Sequence, residues 1–351
     1  MKILHVLTSA RAEGTPKLVL DWLRVKEHQQ SVLFLTDKGE LMNEFKAKTP
    51  VFMNSTFIPS LKTGLEITAL VNNVCSEVQP DLVIAWPTGH SQWIHWGAHK
   101  AGVKKKITHI GNPPGESFFG RYIATAITFW MSYFMKVKFI ACSEYVKNET
   151  QRIKLIPQTL HRVYNSFAMQ SFDPMWTKEN KVCMIGYMEP VRDHLSLLKA
   201  WQILSDQLLD YELRLIGDGS LKQKLEEYVQ LNKIERVVFL GRKESVKIEL
   251  EKAKIYVLST LKEGFGITLL EALGSGCRVV STNLPATNEV LENGKWGELV
   301  EAENPKALAE AILSAHLANS LTSTEVEERK MYLKQFSVEN MCHQYLGIAN
   351  A

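Results

Sequence analysis

The sequence predicts two doubly wound α/β domains, each a parallel sheet with helices on both faces. Three observations carry this. Short apolar runs alternate with longer helical patterns along the whole chain, as in successive βα units. The 351 residues suffice for two full cores. The stretch 165–180, NSFAMQSFDPMWTKEN, has neither pattern and reads as a linker between the two series.

In the first half, strands are expected near Ile3–Leu7, Ser31–Leu35, Leu82–Ala85, Lys106–Ile110 and Phe139–Ala141. In the second they are expected near Val182–Ile185, Glu212–Ile216, Val237–Leu240, Ile255–Leu258, Arg278–Ser281 and Glu298–Val300. The last segment, from Phe336, reads as a helix whose docking place is not legible from pattern. Tyr122–Met135 carries no charge. It is shorter than the roughly 20 residues that span a bilayer, so it reads as a buried helix. Arg121, Lys136 and Lys138 flank it and Trp130 and Tyr133 lie within it, which keeps an interfacial helix open.

The composition, 45% hydrophobic and 23% charged, is that of a globular protein. Five cysteines, Cys75, Cys142, Cys183, Cys277 and Cys342, form no C-x-x-C pair. They read as reduced thiols of a cytoplasmic protein, and the N-terminus reads as a first strand, not a leader. Residues 1–170 hold 20 basic and 12 acidic side chains, net +8; the remainder holds 21 and 26, net −5. The basic half suggests an anionic partner, with chance surface charge as the alternative.

The chemistry concentrates in EGFGITLLE, Glu263 to Glu271. Thr268 and Glu271 fit a capping box, so Glu271 has a purely structural reading. Gly264 and Gly266 allow the backbone to turn tightly just before a helix. Free N–H groups and the helix dipole there favour an anion such as phosphate. Glu263 and Glu271 bracket that anion. Carboxylates accept hydrogen bonds from hydroxyls. A molecule with phosphate in the middle and hydroxyls at both ends is a nucleotide sugar.

The E-x7-E pattern of EGFGITLLEALGSGCRVV resembles the retaining group 1 glycosyltransferases of GT-B fold. ACSEYV at 141, VYNSFAMQSFDP at 163, IGYMEPVRDHLSLLKAW at 185, LRLIGDGSLKQKLEE at 213, VVFLGR at 237 and YVLSTLKEGFG at 256 agree in order. They cover roughly 140–340; the N-terminal half agrees only in layout. The resemblance implies two Rossmann-like domains facing across a cleft: 1–168, joined by about 336–351, for the acceptor, and 175–335 for the nucleotide sugar. It allows the C-terminal helix to cross back to the N-terminal domain. It places Glu263 on the donor sugar and Glu271 on the ribose. Backbone from Gly264 through Phe265, Gly266, Ile267 and Thr268 to Leu269 would wrap the sugar and diphosphate. Arg242, Lys243 and the turn Gly217–Asp218–Gly219 would frame the base.

The sequence departs from the family at several points. The family clamps the diphosphate with an Arg directly after a glycine and a Lys five residues later. Here Gly186 is followed by Tyr187, and Arg192 stands at the second place. Arg192 suits bidentate phosphate binding, whereas Tyr187 brings no charge. Lys262 and Arg278 are candidate replacements. The Gly-rich turn after the first strand keeps only Gly14, and a dinucleotide fingerprint is absent there. The family histidine falls at Gly111. His109, on the same strand face, reads either as a donor-sugar contact or as a core histidine, and His90 after a strand end competes. Trp93 and Trp96 read as acceptor-cleft stacking platforms or as plain packing. His95 and His99 are spaced i, i+4, but no third metal ligand is evident.

What the resemblance implies is a retaining, metal-independent hexosyltransferase using a UDP-sugar, with no cofactor. Its acceptor is expected to be a glycan or lipid-linked saccharide of cell-envelope synthesis, at the inner face of the cell membrane, with peripheral contact to anionic lipid and none to nucleic acid. A nucleotide-sugar epimerase of the same architecture and a non-catalytic nucleotide-sugar-binding subunit are the rival readings.

Overall fold

The structure is a computed structural model that describes all residues except 12–13, 54–62, 87, 114–127, 154–159, 170–176 and 244. Its strands are β1 (Lys2–Leu7), β2 (Gln29–Phe34), β3 (Val51–Met53), β4 (Leu82–Ala85), β5 (Lys105–Ile110), β6 (Lys138–Ala141), β7 (Leu160–Arg162), β8 (Glu179–Ile185), β9 (Glu212–Ile216), β10 (Val237–Gly241), β11 (Ala253–Leu258), β12 (Arg278–Thr282) and β13 (Glu298–Val300). Its helices are α1 (Gly14–Trp22), α2 (Met42–Lys48), α3 (Thr63–Val78), α4 (Ser91–Lys100), α5 (128–134), α6 (Glu144–Gln151), α7 (His194–Ile203), α8 (Lys222–Leu231), α9 (Lys247–Lys252), α10 (Ile267–Gly274), α11 (Pro285–Val290), α12 (Pro305–Leu317), α13 (Ser323–Leu333) and α14 (Val338–Asn350).

The chain divides into two compact units, Met1–Ser166 with Val338–Ala351, and Phe167–Ser337. The first holds a seven-stranded sheet of order β3-β2-β1-β4-β5-β6-β7. Every neighbouring pair in it is parallel. Alternate residues feed opposite faces, as the two-residue period requires. Ile3, Leu7, Val32 and Phe34 pack with Trp22 and Tyr345. Leu4, Val6, Leu33 and Leu35 pack with Val71 and Ile94. Both faces are covered, which explains why these strands read as mainly apolar runs.

The segment from Phe336 includes α14. Val338, Met341, Cys342, Tyr345 and Ala349 recur at helical spacing and are buried in the first unit's core.

The second unit holds a six-stranded parallel sheet of order β10-β9-β8-β11-β12-β13. Val182, Met184, Leu213, Leu215, Ile255 and Val257 pack with Leu197, Trp201 and Ile312 of α7 and α12. Side-chain caps fix several helix starts: Asn304 accepts from Ala307 N–H at 3.0 Å, and Thr322 and Glu325 form a reciprocal box.

Two strands lie outside the sequence expectation, β3 and β7. Each has three residues and sits at an end of its sheet, too short to leave a periodic signal. The uncharged run Tyr122–Met135 lies partly outside the described residues. Its later part forms α5, with Phe129 and Ser132 buried and Trp130, Tyr133 and Phe134 46%, 48% and 78% exposed. Among the described residues no helix is long and apolar enough to cross a membrane.

Candidate active site

In the second sheet the strand order reverses between β8 and β11. β8 continues outward to β9, and β11 continues outward to β12. Crevices beyond the carboxyl ends of strands at such a reversal are where open parallel sheets bind ligands. The segments leaving these two strands carry Arg192 and Glu263. Backbone ties hold them together: Leu261 N–H donates to the Val191 carbonyl at 2.8 Å, and the Ser259 hydroxyl donates to the Asp193 carbonyl at 3.1 Å. Arg192 and Glu263 form an ion pair, with the guanidinium also 3.3 Å from Thr260 Oγ1. The other Glu263 oxygen accepts from Gly264 N–H at 3.0 Å. Two residues far apart in sequence thus meet because their strands are neighbours.

Turns after β9 and β10 complete this edge. Gly217 has φ 145°, and a Cβ there would lie 2.0 Å from the Gly186 carbonyl oxygen. Only glycine lets the two turns approach this closely. Gly217 N–H donates to Gly241 O at 2.9 Å, Gly186 N–H to Ile216 O at 3.0 Å, and Met188 N–H to Asp218 O at 3.0 Å. Asp218 itself caps the Gly219 N–H at 2.8 Å. Arg242, exposed directly after β10, places its Cζ 5.1 Å from the centroid of the Tyr187 ring, a cation–π geometry. Lys243 is exposed beside it.

The capping-box expectation for Thr268 and Glu271 is corrected here. α10 begins at Ile267, and its N-cap is Gly266 in the left-handed region with φ 94°. Thr268 lies inside the first turn, and its hydroxyl oxygen is 2.7 Å from the Tyr256 hydroxyl of β11. Glu271 sits in the second turn and is half-buried. The glycine cap offers no side-chain oxygen to the Ile267 and Thr268 N–H groups at this helix start, where N–H groups favour an anion, whereas Leu269 N–H already donates to the Gly266 carbonyl at 3.0 Å. Phe265 and Leu269 bury their side chains, leaving backbone as their possible contribution to a ligand.

Two neighbours went unmarked in the sequence reading. Asp193, with φ 32°, caps α7 by accepting from Ser196 N–H at 3.3 Å. His194, 2% exposed, has no hydrogen-bond partner at either ring nitrogen among the described residues. Burial, then the Arg192 charge, push its pKa down to about 4, so it is neutral at pH 7. The signal was its place directly after Arg192 and Asp193. Arg278, considered as a replacement cation, begins β12 at the opposite strand ends and pairs with Glu325 at 3.5 Å. That placement removes it from this edge. Lys262 is exposed beyond β11.

In the first unit the reversal falls between β1 and β4. Gly14 opens α1 after β1, and His90 follows β4 at the start of α4. His90 is half-buried, and desolvation lowers its pKa. His109 is 1% exposed on β5; its Nδ1 is 2.8 Å from the Tyr345 hydroxyl and its ring 4.9 Å from that of Trp86. Its Nε2, without a hydrogen-bond partner among the described residues, lies 3.3 Å from where a Gly111 Cβ would stand. Trp93 packs closely on Gly64 of α3, and Trp96 is 40% exposed. His95 is buried with Nε2 2.7 Å from Thr108 Oγ1, whereas His99 is exposed. Among the described residues no cluster of three or more His, Cys, Asp or Glu is placed to hold a metal.

Residues 179–317, which include this edge, match the family model described as Glycosyl transferases group 1. The chain is 30% identical over 207 residues, 58% of its length and 56% of the relative's, to a Campylobacter jejuni protein named GalNAc-alpha-(1->4)-GalNAc-alpha-(1->3)-diNAcBac-PP-undecaprenol alpha-1,4-N-acetyl-D-galactosaminyltransferase. Its matches span about half the length of the curated relatives. Its fold is similar to that of HepE from Anabaena in complex with UDP and glucose, with a TM-score of 0.84, 18% identity and 100% of both chains covered. It is also similar to S. aureus TarM in complex with UDP and other ligands, with a TM-score of 0.79, 13% identity and 100% of both chains covered. The two parallel sheets have the GT-B architecture of those neighbours, and residues 179–317 are the part of the chain that resembles group 1 glycosyl transferases.

Proposed function

We propose that this protein is a retaining, metal-independent glycosyltransferase that moves a hexose from a UDP-sugar to a glycan or lipid-linked saccharide of the cell envelope. The observation that carries the reading is the meeting of Arg192 and Glu263 at the β8/β11 reversal, beside the glycine-capped start of α10. In this reading the donor diphosphate rests on the first-turn N–H groups of α10 and draws the Arg192 guanidinium to itself. Glu263 then exchanges its cation for a hydroxyl of the donor sugar. Glu271, one and a half turns along the same helix, takes the ribose. The base lies by the Gly217–Asp218 turn and the backbone of Arg242 and Lys243.

Charge develops on the departing diphosphate, so fixed donors and a guanidinium aimed there lower the barrier. The leaving phosphate oxygen takes the acceptor's proton on the face it vacates. The mechanism therefore needs neither a separate general base nor a metal ion. The similar Campylobacter protein, named as a transferase on an undecaprenol-linked glycan, supports a lipid-linked acceptor. The exposed aromatic face of α5, with Lys136 just beyond it, supports peripheral contact with an anionic bilayer at the inner membrane face.

The test is incubation with radiolabelled UDP-sugars, with and without membrane extract. Acceptor-dependent UDP release with labelled product is expected. Isomer formation without acceptor would make the protein an epimerase instead, and saturable binding without turnover would make it a non-catalytic subunit.

A further inference from the structure

Arg192 and Glu263 come from turns after two different strands, and one buried hydroxyl touches both turns. Thr260, just beyond β11 and 0% exposed, has its Oγ1 3.0 Å from the Val191 carbonyl oxygen and 3.0 Å from the Lys262 carbonyl oxygen. Val191 precedes Arg192 in the chain, and Lys262 precedes Glu263. The same Oγ1 is 3.3 Å from Arg192 Nη1. That nitrogen carries two hydrogens and faces two acceptors, Thr260 Oγ1 and Glu263 Oε2. Glu263 Oε1 accepts from Gly264 N–H at 3.0 Å, in the turn that leads to the Gly266 cap of α10. Thr260 is itself fixed from β12. Its N–H donates to Thr282 Oγ1 at 3.2 Å, and the Thr282 hydroxyl donates back to the Thr260 carbonyl at 2.7 Å.

We infer that Thr260 is a positioning residue for Arg192: its hydroxyl keeps one Nη1 hydrogen while Glu263 gives up the other, so that the guanidinium pivots into place instead of being released. This rests on the proposed donor reading, in which Arg192 passes from Glu263 to the diphosphate. A hydroxyl suits the task because it accepts from the guanidinium and donates to a carbonyl at the same time. Its single proton goes to the Val191 or the Lys262 carbonyl, so the group that steadies Arg192 also ties the Arg192 turn to the Glu263 turn. A contact kept both before and after the donor binds contributes equally to the two states and changes affinity little. Its effect falls on the transition state. There charge grows on the departing diphosphate, and the direction of the guanidinium decides how much of that charge is stabilised.

Two measurements on the same preparations separate positioning from binding: acceptor-dependent UDP release from radiolabelled UDP-sugars with membrane extract, and calorimetric titration with UDP. For Thr260→Val, turnover is expected to fall roughly ten- to hundredfold while UDP affinity stays within about threefold. Thr260→Ser, which keeps the hydroxyl, should turn over as the parent does. In an Arg192→Ala background, Thr260→Val should cost no further turnover, because the group it positions is already gone. Circular dichroism checks each fold, and Thr260→Ala replaces Thr260→Val in every comparison if the valine variant does not fold. Near-parental turnover by Thr260→Val would overturn the inference, as would a serine variant no better than valine. The same loss in the Arg192→Ala background, or a loss of UDP affinity as large as that of turnover, would mark a hydroxyl that only holds the fold and would overturn it too. If the unmodified protein bound no UDP, or released none from a UDP-sugar, the proposed function would fall and the inference with it. UDP binding and turnover that ignore Thr260 would leave the donor reading standing.

Discussion

Glu263 holds a cation before any substrate arrives, and this defines what its substitution should do. Glu263→Gln removes the charge that engages Arg192 and weakens the acceptor for a sugar hydroxyl. Transfer is expected to fall by about a hundredfold or more, as when a group acting on the reacting centre is lost. UDP affinity should stay within a few-fold or rise, because Arg192 no longer has to leave a carboxylate. Turnover and UDP titration on the same preparation decide it, and near-parental turnover would remove Glu263 from the reacting sugar. Glu271→Ala should instead weaken UDP itself, since this side chain is not the cap of α10; unchanged UDP affinity would leave Glu271 without a ribose contact. At this scale the sequence marked the two glutamates because their spacing about a glycine turn is local. It did not reveal the pairing of Arg192 with Glu263 or of Tyr187 with Arg242. Those contacts are made by strand neighbours whose order no local pattern encodes.

Among elements, the tightest constraint is the turn after β9. Gly217→Ala places a methyl into the Gly186 carbonyl. A destabilisation of at least about 1–3 kcal/mol is expected from the strain at this backbone angle, with UDP binding lost because the β8 turn is displaced. Chemical denaturation paired with UDP titration checks both, and a fully stable variant with parental affinity would show that the turns are independent. The central strands were legible because both faces are buried and most of their residues are apolar. The edge strands β3 and β7 were not, being three residues long. The start of α10 was misread for a different reason. Thr268 and Glu271 satisfy a capping pattern, but Gly266 takes the left-handed conformation as N-cap, and the helix begins two residues too early for a Thr268 cap. Glycine at a cap leaves no side-chain signature, so a nearby Thr looked like the stronger candidate.

Across the whole molecule, the buried histidines set an acid limit. Burial, in part offset by the Gln30 hydrogen bond, lowers the His5 pKa to about 4. Burial lowers His95, with the Lys106 charge second, and His109 to about 3 each. All three are in the first unit, and His194 in the second is similarly lowered. The unfolded chain takes up protons near pH 6.5 while the folded chain does not. Stability is therefore full above that pH and is lost as pH falls from about 6.5 toward the folded values, by about 2 kcal/mol per histidine at pH 5. Thermal unfolding followed from pH 8 to pH 5 should show a flat melting temperature down to about 6.5 and a steep decline below it. A melting temperature unchanged at pH 5 would contradict the neutral, buried state of these rings.

The placement of α14 has a consequence for the order in which the protein is made. Its residues Val338 to Ala349 are part of the same packing as β1 and α1, although more than 300 positions separate them along the chain. On the ribosome the second unit, contiguous in sequence, is complete first. The first unit must wait with Trp22 and Trp86 uncovered until Tyr345 has left the exit tunnel, an interval in which a holdase chaperone has its natural substrate.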